Sequence, residues 1–191
     1  MDRLDEIILK LKNARPENQP IIEDGMYIKD ELVTFVPVPV LEGTYTVMLP
    51  TDFSIMSKED AEYKFPLSPR PKEIWSSPGT ETNFCISYFD NIEINAEHID
   101  EEADSLKQVL KKTNPAMDFY ESGIYDLPDL KIAWFDYNSF GIDGDMYNIM
   151  FVSSVEGKLL HGAFICQFED FEAWIGAAHQ MIQSIRAVPL T

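Results

Sequence analysis

The spacing of hydrophobic residues changes period several times along the chain. Near the start, Leu4, Ile7, Ile8 and Leu11 fall at i, i+3, i+4 and i+7 with charges opposite, which predicts an amphipathic helix over residues 2–13. Asn13, Pro16 and Pro20 end it, and "ARPENQP" reads as a polar linker. Residues 26–40 are β-prone, but Pro37 and Pro39 in "VTFVPVPV" cannot donate to a ladder, so this run is an edge strand or an extended loop. "TYTVMLP" predicts a strand with Tyr45, Val47 and Leu49 on one face. Residues 57–64 suit one or two helical turns, and the prolines of "FPLSPRPKEIWSSPG" predict a long irregular loop from Phe65 to Gly79. "NFCISYFD" is a strand in which Phe84, Ile86 and Tyr88 alternate with Cys85, Ser87 and Phe89. A helix follows over residues 100–112. Asp100 is its expected N-cap, Glu101 and Glu102 suit the positive end of its dipole, and Lys111 and Lys112 suit the other end. Its buried stripe is Ala103, Leu106 and Leu110, and "MDFYESGIYDL" then gives a weaker strand.

Residues 131–168 carry the densest signal. Three apolar runs, "KIAWFDY", "YNIMFVSS" and "LLHGAFICQF", are separated by turn residues at 143–145 and 156–158, which predicts an antiparallel meander. Each run is apolar at both parities. Ile149 and Phe151 point one way and Met150 and Val152 the other, so the sheet must be covered on both faces. Phe171, Trp174, Ile175, Ala178, Ile182 and Ile185 place a wide apolar stripe on a long helix over residues 169–187, which supplies one cover. The fold class expected is α+β: three α/β/α layers with a central antiparallel sheet of about six strands. Residues 1–43 are read as an N-terminal helix, linker and extended segment, and residues 44–191 as the main domain.

This order of elements resembles the PsbP/Mog-like family. A strand closes on a proline before an aromatic residue in "YTVMLPTDF". A helix, a strand and a three-stranded meander follow, and the last helix ends in a Ser-aliphatic pair, Ser184 and Ile185 in "MIQSIRAV". The resemblance covers Thr44–Val188 and implies a central antiparallel sheet between helix layers. Members of that family include Ran-binding Mog-type proteins, the photosystem subunit PsbP, DcrB-like lipoproteins and chaperones of type VI secretion effectors. The resemblance therefore implies a binding role more than catalysis, and it carries no functional residue over to this chain.

Charge narrows the partners. The chain holds 33 acidic and 15 basic residues, a net charge of −18, which repels phosphate backbones and anionic lipid headgroups. Nucleic acid and membrane surfaces are therefore not expected partners; the acidity either keeps the protein soluble or suits a protein partner, basic or apolar-helical. No apolar run reaches the ~20 residues of a membrane span, and the N-terminus lacks a signal-peptide core, so a cytoplasmic location is expected. There Cys85 and Cys166, both inside strand-like apolar runs, should be reduced and buried, although a pairing between them stays open.

Chemical motifs are sparse. His161 and Cys166 lie on one strand at opposite parity and cannot form a local dyad, and His179 flanks the apolar stripe of the last helix. "HIDEE", His98–Glu102, is accounted for by the helix dipole. "FGIDGDMYN" lacks the glycine and final glutamate of a calcium loop and reads as a hairpin turn at Asp143-Gly144. No catalytic residue, metal ligand or cofactor is assigned, and nothing in sequence marks one of the 33 acids as buried. Two segments suit a partner. The N-terminal face of Leu4, Ile7, Ile8 and Leu11 must dock on its own domain, on a partner or on a second copy in a homodimer. Arg70, Lys72 and Trp75 form a basic, aromatic spot on a rigid proline loop, unless Trp75 anchors that loop to the body. The leading reading is a non-enzymatic protein-binding module, an adaptor or a secretion-effector chaperone. One alternative is a small-molecule binder or small enzyme with a pocket near the proline-rich loop and the C-terminal meander; the other is a structural subunit of a larger assembly.

Overall fold

The computed structural model describes residues 5–7, 9, 21–66, 69–141 and 144–188. A seven-stranded antiparallel sheet organises it, in the order β5-β6-β7-β11-β10-β9-β8. Its strands are β5 (Ser54–Ile55), β6 (Glu73–Ser76), β7 (Asn83–Glu93), β8 (Asp118–Asp126), β9 (Lys131–Gly141), β10 (Gly144–Val155) and β11 (Lys158–Gln167). The predicted meander is β9-β10-β11, with Ile149 opposite both Asp136 and Phe164. Glu156 and Gly157 turn β10 into β11, both at positive φ (51° and 75°), as a type I′ hairpin requires. Gly141 pairs with Gly144 at the β9–β10 end, while the connection, residues 142–143, lies outside the described residues.

Both faces of the sheet are covered, as the two-sided apolar pattern demanded. On one face lie α1 (Lys58–Lys64) and α2 (Ile99–Thr113). Ile99 and Ala103 of α2 pack with Ala133, Phe135, Tyr137 and Val152, and Ala61 of α1 packs with Ile74, Cys85 and Ala163. The other face meets α3 (Phe171–Gln183) and a three-stranded sheet of β3 (Phe35–Val40), β4 (Tyr45–Pro50) and β12 (Arg186–Ala187), in the order β12-β4-β3. Phe84, Phe151, Phe164, Val47, Leu49, Ile175 and Ile182 are buried there in the main core. A β1–β2 hairpin (Met26–Ile28, Glu31–Val33) adds Met26 and Ile28 to the same core and is tied down by an ion pair from Lys29 to the buried Asp170, 2.5 Å. Gly162 has no side chain because the Phe151 ring lies across it; a Cβ there would sit 2.1 Å from that ring.

Three sequence expectations change, and one open alternative is decided. The proline-rich stretch is not all loop: Glu73–Ser76 forms β6, because Pro66, Pro69, Pro71 and Pro78 flank the run "EIWS" without entering it. Of the two readings of the run 35–40, the edge strand holds: it takes the outer edge of its sheet, where Pro37 and Pro39 cost no essential ladder bond. Asp100 does not cap α2. A 3-10 turn, Ala96–His98, runs directly into the helix, capped in turn by Asn95, so Asp100 falls inside the first turn. The last helix is shorter than 169–187. It spans 171–183 and is followed at once by β12, because Ser184 donates to the Met181 carbonyl (2.6 Å) and accepts from the Met48 amide (2.8 Å). That bond fixes the helix end on β4 and gives the Ser-aliphatic pair its physical role.

Candidate functional site

A cleft of about 520 Å3 opens where the three-stranded sheet meets the β6–β7 end of the large sheet. Leu41, Tyr45, Tyr88 and Val155 line it with apolar surface; Val155 belongs to the main core, and Leu41, Tyr45 and Tyr88 pack against it. Glu42, Glu73, Asp90, Glu156 and Lys72 supply its charged walls. The side chains arrive from four places: the β3–β4 turn, the start of β6, the middle of β7 and the β10–β11 turn.

The walls are built from constrained turns. Leu41 and Glu42 have positive φ (53° and 58°), as does Glu156 (51°), a conformation most side chains avoid. Glu73 holds the first of these turns by accepting from the Leu41 amide through Oε1 at 2.7 Å. The Gly43 amide donates to the Val40 carbonyl and Thr44 to that of Leu41, which closes the same turn. Lys72 is held from two sides: its amide donates to Ser87 Oγ at 2.9 Å, and its Nζ donates to the Tyr88 carbonyl and lies 5.6 Å from the centre of the Phe89 ring. The Tyr45 phenol is raised above its ordinary pKa, first by burial and then by the charges of Glu156 and Asp129.

Among the described candidate partner residues, the structure brings only Lys72 to this cleft. Arg70 points elsewhere, its Nε donating to the Phe65 carbonyl at 2.8 Å. Trp75 stands opposite Phe84 on β6 and packs against the main core. Leu4, Ile8 and Leu11 lie outside the described residues; Ile7 is half-buried and also packs against the main core. Sequence reading missed Tyr45, Tyr88, Glu73, Asp90 and Glu156 as a group. They are separated by up to 111 positions in sequence and meet only through sheet pairing. The one local signal was "LEGT", a turn whose glycine hints at positive φ.

The groups suited to covalent chemistry are engaged in structure. Burial pushes the Cys85 thiol up to about 12 and the Cys166 thiol higher still, away from the reactive thiolate. His179 is buried, bonded through Nδ1 to the Tyr125 hydroxyl at 2.6 Å and edge-on to Trp134. His161 is held below its ordinary pKa by burial on β11. His98 sits on the surface against Glu101 at 3.0 Å. Among the described residues no group of three or more His, Cys, Asp or Glu side chains is placed to hold a metal ion. Nor is any helix among them long and apolar enough to cross a membrane.

No known protein-family profile matches the chain, and no curated protein matches it by sequence. Solved structures do. PsbP of Synechocystis sp. PCC 6803 is 12% identical with a TM-score of 0.59, over 81% of this chain and 92% of that one. LpqN, involved in cell envelope biogenesis of Mycobacterium tuberculosis, is 12% identical with a TM-score of 0.55, over 90% of this chain and 99% of that one. The Ran-binding protein Mog1p of Saccharomyces cerevisiae superposes more loosely, with a TM-score of 0.48 at 7% identity over 82% and 96% of the two chains. The two-sided seven-stranded sheet and the superpositions on PsbP and LpqN give this chain the PsbP/Mog-like fold.

Proposed function

We propose that this chain is a non-catalytic, cytoplasmic protein-binding module, an adaptor or an effector chaperone, that takes a segment of its partner into the cleft between Tyr45 and Tyr88. The observation that carries this reading is the cleft itself. It offers apolar and aromatic area, on which binding energy concentrates, inside a polar rim. Its walls are fixed turns, so little ordering has to occur on binding. The buried cysteine thiols and the bonded His179 agree with a binding role. The fold alone supports no function, since a shared architecture hosts many.

Photo-crosslinking from the rim tests the proposal. A benzophenone amino acid replaces Asp90, exposed at the cleft mouth, and in a control replaces Gln108, exposed on α2 at the opposite face. Irradiation in cells is expected to give a discrete polypeptide adduct from position 90 and none of that mass from position 108. Equal labelling from both positions, or no polypeptide adduct from position 90, contradicts the proposal. A second reading is favoured by volume alone, because about 520 Å3 also lies within the range of small-molecule pockets. It predicts no polypeptide adduct, and a small metabolite retained by the native protein.

A further inference from the structure

We infer that the cleft selects a cationic polypeptide segment with an apolar anchor: one aromatic or aliphatic side chain seated between Tyr45 and Tyr88, flanked by lysine or arginine side chains that reach Glu42, Asp90 and Glu156. The inference rests on the protein-binding reading above and names the chemistry of the partner.

The charge balance of the cleft leads to this choice. Four carboxylates line it against one ammonium. Glu73 is committed to the Leu41 amide, and the Lys72 ammonium is turned onto β7, bonded to the Tyr88 carbonyl and set over Phe89. Glu42, Asp90 and Glu156 remain, all exposed, and none makes an ion pair with another described residue. Three unneutralised carboxylates around one apolar floor form a local field rather than a share of the general surface charge, because a concave site with low-dielectric walls focuses it. Tyr45 and Tyr88 both line the cleft with these carboxylates, and after burial the charge of Glu156 helps to raise the Tyr45 phenol. An acidic segment would be repelled here. A neutral one would gain only the floor. A cationic one gains the floor and the rim together, and tyrosine faces attract cations in addition. Glu156 also borders a second hollow of about 450 Å3, lined by Ile94, Asn95, Gly157 and the Glu93–Lys158 ion pair, into which an extended segment could run.

A random dodecapeptide library displayed on phage, selected on the whole chain and counter-selected on the triple variant Glu42→Gln, Asp90→Asn, Glu156→Gln, tests the inference. These side chains are exposed and unpaired, so the variant is expected to keep the wild-type melting temperature. Enriched peptides should carry net positive charge around a single aromatic or aliphatic residue. As synthetic peptides they should bind the triple variant about tenfold more weakly than the wild type and lose affinity as salt is raised. Enrichment of neutral or acidic peptides, or equal binding to the triple variant, overturns the inference while leaving the protein-binding reading in place. If free spermine binds as tightly as the selected peptides and competes with them, the site reads cationic charge alone and the apolar anchor is wrong. Failure of the photo-crosslink at position 90, by contrast, removes the protein-binding reading itself.

Discussion

Among the carboxyls of the described residues, Asp136 is the one whose pKa burial lifts clearly. It sits on β9, 1% exposed, with Oδ2 accepting from the Tyr147 hydroxyl and Oδ1 from the Glu121 amide, both at 2.6 Å. Those bonds lower its pKa, but burial outweighs them and lifts the carboxyl from 3.8 to about 6. The sign of the consequence follows. Between pH 4 and 6 the folded chain binds more protons at this site than the unfolded one, so its contribution is fully present below about pH 4 and is lost as pH rises to about 6. A displacement from 3.8 to about 6 is worth about 3 kcal/mol. Asp136→Asn keeps an acceptor and removes the charge. Denaturant unfolding should therefore show the wild type losing about 3 kcal/mol more than the variant between pH 4 and pH 7, and equal pH profiles would contradict the burial of an ionisable carboxyl. Sequence reading did not mark this residue as buried; only tertiary pairing shows that Tyr147 and the β8 bulge receive the aspartate of "KIAWFDY".

Elements built from long periodic runs were readable: the meander, β7, α2 and α3 all lie where their apolar spacing puts them, because burial on a sheet face enforces that spacing. Short elements were not. β6 is four residues among prolines, and β5 and β12 are two residues each, too short to carry a period. They exist because a neighbouring strand offers its edge, which is a property of the partner and not of the run. The end of α3 shows the same dependence. Ser184 bridges the Met181 carbonyl and the Met48 amide, so removing its hydroxyl leaves a β4 amide without its acceptor. Ser184→Ala should cost about 1–3 kcal/mol and lower the denaturant midpoint with an unchanged m-value. A neutral substitution would show that the junction of α3 with β4 rests on packing alone.

For the whole molecule, net charge was the most direct sequence signal and the cleft the least. The count of 33 acids against 15 bases disfavoured anionic partners and left a basic one open, without pointing to a place. The place arises from topology: the three-stranded sheet packs on the large sheet and leaves Tyr45 and Tyr88 lining one cleft, with turns from both sheets forming the walls. Of the loop residues suggested from sequence, Trp75 packs against the core and Arg70 bonds its own loop, because the proline segment is stitched into the sheet as β6. Amide hydrogen exchange of the chain, free and with the polypeptide captured from position 90, tests the central claim most directly. The account predicts new protection concentrated in residues 41–45, 72–73, 88–90 and 155–157. Protection centred on α2 or on the outer edge of β8, with those four segments unchanged, would contradict it.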